Sequence, residues 1–313
     1  MTEGVEDGVV PTLSAEMLVA AVPALGAVAP IHALSFRQAP GAHLGFADLE
    51  ALAETIEDLA DHARGIVVTQ GTDTIEETAF ALDRLLDVVT PVVVTGAMRN
   101  PTLPGADGPA NLLAAAQVAA SEAARGLGCL VLMNDEVHAA RFVRKLHAAS
   151  PSAFASPLAG AIGFIAEGQP RIVVRPEMIA PLPRMGSVVE APVGLIRLGL
   201  GDDGRLIRAA MDAGFRGLVV EGMGGGHASP ASADALEEAA RTVPVILASR
   251  AGAGEVLQRT YGFLGSEIDL VRRGAIRAGW LDGLKARVLL SLALRRGMDR
   301  GAIMEAFAPW GGA

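Results

Sequence analysis

The sequence predicts an α/β protein with a large N-terminal domain, built on a mainly parallel sheet flanked by helices, and a smaller C-terminal α/β domain. Short apolar runs rich in valine and isoleucine alternate with helix-like stretches, which is typical of a parallel sheet covered on both faces. The chain of 313 residues is long enough for two domains. A proline-containing segment at 176–187 separates two such sets of elements. We therefore predict domains at 1–180 and 188–313, joined by that linker.

Composition narrows the classes of function. Hydrophobic residues make up 51% of the chain, which allows a sizeable core, but no apolar run approaches the roughly 18 residues of a membrane span. A net charge of −9 and an aromatic content of 4% argue against nucleic acid as a partner. The acidic start, Met1–Asp7, does not resemble a secretory signal, so we expect a cytoplasmic location. The histidines show no metal-binding spacing, and Cys129 is expected in the core.

The first elements are predicted from local pattern. Gly4–Pro11 is glycine-rich and is predicted to be a loop. A helix is predicted from Ser14 to Val22, ended by proline, and a strand over Val28–Phe36. Phe46–Ala63 carries leucine and isoleucine at helical spacing with acids between them, which predicts a surface helix.

The next stretch is the most informative. Ile66–Val68 is a β-branched run that predicts a buried strand, and the pattern becomes helical from Thr74 to about Leu86. Gly71 permits a tight turn between them, and Asp73 or Thr74 can cap the helix. The turn Thr69–Asp73 is therefore predicted at the carboxyl end of a strand, where open α/β sheets bind ligands.

The same rhythm predicts the remaining elements. The N-terminal domain continues with strand Pro91–Thr95, helix Ala110–Ala124, strand Leu130–Met133, extended Phe142–Ala148 and a hairpin of Ala161–Ile165 with Arg171–Arg175. The C-terminal domain has predicted strands at Val193–Leu198, Gly217–Glu221 and Pro244–Ala248, and helices at Leu206–Ala213, Ala231–Ala240, Ser266–Arg272, Asp282–Arg295 and Arg300–Phe307.

Two lysines stand out among the 26 Lys and Arg residues, because every other one of these is an arginine. An arginine cannot lose its proton in a protein, whereas a buried lysine can. Lys145 and Lys285 are therefore candidates for a role that needs an amine. Taken alone, Lys145 is better explained as a solvated surface lysine.

Several motifs in register resemble the bacterial L-asparaginase/glutaminase family. The resemblance covers nearly the whole chain from about Gly8. Its motifs are Gly71-Thr72-Asp73-Thr74 with Glu76-Glu77-Thr78, Gly96-Ala97-Met98-Arg99, Ala106–Leu112, Val131–Asp135, Arg141–Lys145, Tyr261-Gly262-Phe263 and Lys285–Leu290. Each motif is weak alone, but the combination is specific.

The resemblance implies hydrolysis of the side-chain amide of asparagine, a small-molecule substrate, to aspartate and ammonia through a threonine acyl-enzyme. Thr72 would act as nucleophile or orient water, and a neutral amine at Lys145 would accept its proton. Asp73 would hold the substrate α-amino group, and the Ala97 N–H would point towards the amide oxygen. The family needs no metal or other cofactor, and it implies a homotetramer, a dimer of dimers.

Three departures from the family pattern bear on activity. Members begin with a strand ending in Thr-Gly-Gly-Thr-Ile, which precedes the region matching Met1. We expect Met1 to be an internal methionine with that strand encoded upstream; a true loss is the alternative. The family's lid tyrosine is also missing near residues 4–12, and Gly41 and Ala42 align with its carboxylate-binding serine, so that only backbone can bind the substrate there.

Other interpretations stay open at this stage. One is an inactive or amino-acid-binding protein on an asparaginase scaffold that lacks the first nucleophilic threonine. A related amidotransferase acting on glutamate-charged transfer RNA would need a basic surface, which this acidic chain does not suggest. Thr72 alone would be read as a helix cap, and Asp107 as a loop-closing or capping residue. The preference between asparagine and glutamine is open.

Overall fold

The computed structural model describes residues 2–4, 8–10, 13–101, 103–183 and 189–312. The chain divides into two compact units, Met1–Pro181 and Leu182–Ala313. Each unit combines a sheet with helices, and the prediction of an α/β protein with a smaller second domain is confirmed. Met1 and part of the predicted linker, residues 184–187, lie outside the described residues.

The N-terminal unit contains ten described strands and four described α-helices. The strands are β1 Thr2–Gly4, β2 Gly8–Val10, β3 Ile66–Thr69, β4 Val92–Thr95, β5 Cys129–Met133, β6 Glu136–Ala139, β7 Arg144–Lys145, β8 Phe154–Ala155, β9 Gly163–Ala166 and β10 Gln169–Ile172. The helices are α1 Ala15–Ala20, α2 Phe46–Ala60, α3 Ile75–Leu85 and α4 Gly108–Ala119. Short 3₁₀ helices at Pro23–Ala27, Gly41–His43, Thr72–Thr74 and Glu122–Ala124 join them.

The main sheet of this unit is mixed and has the order β10-β9-β6-β5-β4-β3. Its half that contains β3, β4 and β5 is parallel, and the other pairs are antiparallel. Thr69 at the end of β3 lies opposite Thr95 at the end of β4. Because both strands end at the same edge of the sheet, the two loops that follow them leave it side by side.

Packing of α4 on the sheet forms one core cluster. Ala114, Ala115 and Val118 of the helix pack with Val93, Leu130 and Leu132 of the strands, and all six side chains are buried. Small alanines let the helix approach the sheet closely, and each buried valine or leucine contributes about 2 kcal/mol. Cys129 begins β5 as a buried free cysteine, as predicted, and burial together with the Asp83 carboxylate raises the pKa of its thiol.

Two tight hairpin turns use left-handed backbone conformations. Asn134 and Asp135, with φ of 52° and 61°, join β5 to β6. Asparagine and aspartate tolerate this region better than other side chains do. Glu167 and Gly168 form the turn between β9 and β10, so the predicted hairpin is confirmed with slightly shifted ends.

Two buried arginines hold the end of the N-terminal unit. Arg84 of α3 donates to the carbonyl oxygens of Ile179 and Ala180, and Arg141 donates to that of Glu177 at 2.7 Å. Arg84 also forms an ion pair with Asp83 at 2.7 Å. The first part of the predicted linker is therefore bound to the unit that it follows.

The C-terminal unit is a parallel four-stranded sheet with helices. Its elements are β11 Val193–Arg197, α5 Arg205–Asp212, β12 Gly217–Gly222, α6 Pro230–Ala240, β13 Val245–Ser249, α7 Glu267–Arg272, β14 Ile276–Arg277, α8 Gly283–Arg295, α9 Arg300–Phe307 and a 3₁₀ helix at Ala308–Trp310. The strand order is β11-β12-β13-β14. Near the C-terminus Trp280 and Trp310 meet edge to face, with ring centroids 5.1 Å apart.

Several predicted elements differ from the structure. The strand predicted over Val28–Phe36 is wrong: the segment has no described strand partner, and Leu34 is 59% exposed. The predicted loop Gly4–Pro11 is wrong where β2 pairs with β1, Thr2 opposite Val10, while residues 5–7 and Pro11 lie outside the described residues. The helix predicted to Ala124 ends at Ala119, because Ser121 caps a separate 3₁₀ turn.

Across the described ranges, no helix has both the length and the apolar character that crossing a membrane requires.

Candidate active site

Thr72 lies immediately beyond the carboxyl end of β3, in the 3₁₀ turn that leads into α3. Thr74 stands at the N-cap position of α3, one of the two alternatives expected, but its side chain makes no cap there: the hydroxyl donates to the Gly41 carbonyl oxygen at 3.1 Å. The Thr72 hydroxyl accepts a hydrogen bond from the Lys145 ammonium at 2.9 Å. Thr72 therefore uses its side chain to contact a cation and not to cap the helix.

Lys145 reaches this turn from β7, 73 residues further along the chain. Pairing of Lys145 with Phe154 in β8 fixes its backbone. The Lys145 N–H donates to a carboxylate oxygen of Glu76 at 3.3 Å, and Glu76 is itself buried at the start of α3. Two elements thus hold the lysine so that its side chain lies over the Thr72 turn.

The Lys145 ammonium also lies 3.5 Å from the Asp73 carboxylate. The lysine side chain is 16% exposed, whereas that of Asp73 is 64% exposed. A hydroxyl, an amine and a carboxylate therefore meet at one exposed edge of the sheet. Such a group can transfer a proton from the hydroxyl when the amine is neutral, and the carboxylate remains open to a cationic ligand.

The loop after β4 lies against the Thr72 turn. A Cβ built on Gly96 would be 2.5 Å from the Gln70 carbonyl oxygen and 3.3 Å from the Thr72 methyl carbon. Only glycine allows so close an approach, since the Gln70 atom is backbone. Ala97 follows and is half-buried beside the first turn of α4.

Asp107 closes this loop. Its carboxylate accepts hydrogen bonds from the N–H groups of Met98 and Arg99, at 2.9 and 2.8 Å. It stands at the N-cap position of α4 but makes no side-chain cap there. Of the two structural roles left open for Asp107, the structure supports loop closure.

Gly41 and Ala42 lie in the 3₁₀ helix Gly41–His43. Gly41 is buried against the Thr72 turn, where a Cβ would come within 2.9 Å of the Gly71 carbonyl oxygen. Ala42 is exposed. Gly41 therefore joins the site by backbone packing, and all the predicted site residues lie in the N-terminal unit.

Sequence reasoning gave no individual role to two buried polar residues of this region, Glu76 and Asn111. Glu76 holds the Lys145 backbone, and Asn111 bonds to the Gly96 carbonyl oxygen. The available signal was a polar side chain inside an otherwise apolar helix, as in α4. Among the described residues, no group of three or more His, Cys, Asp or Glu side chains is arranged to hold a metal ion.

Comparison with known proteins gives two family matches. Residues 1–178 match the family model described as asparaginase, N-terminal, and residues 192–307 match the glutaminase/asparaginase C-terminal domain. A probable L-asparaginase of Deinococcus radiodurans is 38% identical over 86% of this chain and 82% of its own. L-asparaginase 2 of Escherichia coli is 36% identical over 82% of this chain and 73% of its own. A probable periplasmic L-asparaginase of Haemophilus influenzae is 34% identical over 94% and 84%, respectively.

The two models together span most of the chain, and these relatives exceed 30% identity over most of both sequences. The chain belongs to the asparaginase family.

Proposed function

We propose that this protein hydrolyses the side-chain amide of L-asparagine to L-aspartate and ammonia. Family membership and the names of its relatives support an amidohydrolase of this kind. The observation that carries the proposal for this chain is the 2.9 Å contact between the Lys145 amine and the Thr72 hydroxyl, with Asp73 3.5 Å from the same amine.

In the proposed reaction, neutral Lys145 removes a proton from the Thr72 hydroxyl. The oxygen attacks the amide carbon, the C–N bond breaks, and the nitrogen takes the proton from Lys145 and leaves as ammonia. Water then hydrolyses the threonine ester and releases aspartate. A covalent intermediate of this kind divides one difficult step into two easier ones.

The proposed binding groups surround that hydroxyl. The exposed carboxylate of Asp73 suits the substrate α-ammonium group. Backbone groups of Gly41 and Ala42 face the substrate carboxylate, with Gly41 packed on the Thr72 turn. The Ala97 N–H donates to the amide oxygen, which becomes negative in the tetrahedral intermediate.

An alternative within this proposal is that Thr72 and Lys145 activate a second nucleophile. Mass analysis of acid-quenched enzyme after mixing with asparagine separates the two routes. An aspartyl ester on the peptide that contains Thr72 supports direct attack. An ester elsewhere, or none with full turnover, assigns Thr72 to activation of another hydroxyl or of water.

The family resemblance also leads us to propose a homotetramer, a dimer of dimers, and a cytoplasmic location. Light scattering on the purified chain tests the first, and cell fractionation tests the second. A monomer of wild-type activity, or recovery of the protein outside the cytoplasm, would refute the respective proposal.

The decisive test replaces the hydroxyl of Thr72 with a methyl group in Thr72→Val. We expect ammonia release from asparagine to fall roughly 10⁴-fold, because the nucleophile is removed while side-chain volume is kept. Thr55→Val is the matched control, since the Thr55 hydroxyl donates to the Ala51 carbonyl oxygen on α2 at 2.9 Å.

Full turnover by Thr72→Val would exclude a chemical role for Thr72. No ammonia from the wild-type chain, with asparagine or with glutamine, would refute the proposed activity. Glutamine is included because a relative in Pseudomonas fluorescens, 32% identical, is named glutaminase-asparaginase.

A further inference from the structure

Asn111 is a buried polar side chain in the first turn of α4, only 3% exposed. Its amide nitrogen donates to the Gly96 carbonyl oxygen at 2.9 Å and to the Asp107 carboxylate at 3.1 Å. Its amide oxygen accepts from the Asn134 N–H at 3.1 Å. One side chain thus joins the ends of β4 and β5 to the start of α4.

The contact with Gly96 has a geometric consequence for the next residue. The Gly96 carbonyl and the Ala97 N–H belong to one planar peptide group, and no cis peptide bond occurs in the described chain. In a trans peptide the C=O and N–H point in opposite directions. Asn111 therefore fixes the direction of the Ala97 N–H, because it holds the Gly96 carbonyl oxygen at the opposite edge of the same planar peptide group.

The following peptide groups are held as well. Asp107 accepts the N–H groups of Met98 and Arg99 and is itself bonded by Asn111. In the described part of the chain, the Ala97 N–H has no protein acceptor, whereas its two successors are occupied. Of these three backbone donors, the Ala97 N–H is the one with no protein acceptor, and it follows Gly96, which packs against the Thr72 turn.

We propose that Asn111 is a positioning residue that aims the Ala97 N–H at the oxygen of the reacting amide. The inference rests on the proposed function, because it assigns Ala97 the role of stabilising the tetrahedral intermediate. The bond to the Gly96 carbonyl also polarises the peptide group and so strengthens its N–H as a donor. Donors of this kind act when they are held before charge develops.

The test uses two variants of the full-length chain. Asn111→Asp keeps size, shape and the acceptor for Asn134 but removes the donor, and Asn111→Leu removes all three bonds. For both we expect kcat to fall roughly 10- to 100-fold, less than the loss of an entire oxyanion donor, while KM stays within about twofold.

Thr90→Val is the matched control. The buried Thr90 hydroxyl donates to the Ala60 carbonyl oxygen at 3.0 Å, ahead of β4 and remote from the loop. It loses a buried side-chain bond to a backbone carbonyl oxygen, as both Asn111 variants lose theirs to Gly96, and we expect its kcat to stay at the wild-type value. An equal fall in the kcat of Thr90→Val would show that the Asn111 variants lose activity through lost stability, and it would overturn the inference.

Amide hydrogen exchange of Met98 and Arg99 supplies a second measurement that needs no turnover. We expect exchange roughly tenfold faster in both variants than in the wild type, because Asp107 loses the side chain that holds it. Wild-type exchange together with wild-type kcat overturns the inference. If the wild-type chain releases no ammonia, the proposed function fails, and unchanged exchange in a folded variant then overturns the positioning role independently.

Discussion

The two lysines of this chain have the same type of partner but different surroundings. Lys145 lies 3.5 Å from Asp73, and Lys285 lies 2.9 Å from Asp282. The Lys145 pair is open, with Asp73 64% exposed, whereas the Lys285 and Asp282 side chains are 1% and 13% exposed. Rarity of lysine singled out both residues, so rarity alone does not identify a reactive amine.

The difference lies in what else each amine contacts. Lys145 meets the Thr72 hydroxyl at the carboxyl edge of a sheet. The partner of Lys285, Asp282, also caps α8 by accepting the Lys285 N–H at 3.0 Å. Both the backbone N–H and the ammonium of Lys285 therefore bind the residue that caps α8, which is a structural role. We expect substitutions at Lys145 to reduce turnover and substitutions at Lys285 to reduce stability.

The largest effect is expected for Lys145→Met, which removes the amine and keeps an unbranched side chain. Turnover of asparagine should fall roughly 10⁴-fold, equivalent to about 5 kcal/mol in the barrier, because Thr72 would lose the general base that we propose for it. Steady-state ammonia release measures it. The free energy of unfolding from urea titration should change little, since Asp73 stays solvated.

Lys145→Arg is the control, because it keeps the positive charge and cannot accept a proton. Turnover as low as in Lys145→Met supports the base. Recovery of activity in Lys145→Arg would contradict it and leave Lys145 an electrostatic role only.

Lys285→Met should have the opposite profile. We expect the free energy of unfolding to drop by about 4 kcal/mol, because a buried carboxylate loses its ammonium. The kcat per folded molecule should remain close to wild type. Arg241→Met, which breaks the exposed pair with Glu237, is the control and should cost about 0.5 kcal/mol. An equal drop in the free energy of unfolding of the two variants would show that burial does not make the Lys285 pair more important for stability than an exposed pair.

His138 extends the comparison to a buried group that is neutral. Desolvation by burial lowers the pKa of His138 from 6.5 to about 4. Between these values the unfolded chain binds a proton that the folded chain does not, so stability is greatest above pH 6.5 and falls as pH drops. The loss reaches up to about 3 kcal/mol near pH 4.

His138→Asn should flatten this dependence while costing some stability at pH 7, because the side chain also contacts the Ser156 hydroxyl at 3.0 Å. Urea titration by circular dichroism at pH 7 and near pH 4 measures the slope. Glu136→Gln is the control: its carboxylate, 52% exposed and 3.4 Å from the ring, should leave the slope unchanged. An unchanged slope in His138→Asn would assign the acid sensitivity to other groups.

Much of the fold follows from local pattern in the sequence. The strands β3, β4 and β5 come from apolar runs, and their predicted ends agree with the structure within about two residues. The prediction that Ile66–Val68 is buried is wrong: these residues are half-buried, because β3 is the edge strand of the described sheet. The failure at Val28–Phe36 has a different cause. A strand needs a neighbour to pair with, and an apolar stretch does not specify one.

The candidate site was less predictable from its residues. The turn at Thr72 could be placed because a strand, a glycine and a helix follow one another. The approach of Lys145 could not, because it depends on pairing of β7 with β8 and on the buried Glu76. Only the family resemblance put Lys145 beside Thr72 beforehand. The contacts of Asn111 could not be predicted for the same reason, since its partners Gly96 and Asn134 are remote in sequence.

The edge-to-face pair of Trp280 and Trp310 determines what fluorescence can report. The chain has two tryptophans and one tyrosine, Tyr261, and all three lie in the C-terminal unit. Intrinsic tryptophan and tyrosine fluorescence therefore reports unfolding of the C-terminal unit, which contains Lys285, and not of the N-terminal unit, which contains Lys145. A Phe80→Trp substitution, at a fully buried site in α3, would give the larger unit an optical signal of its own.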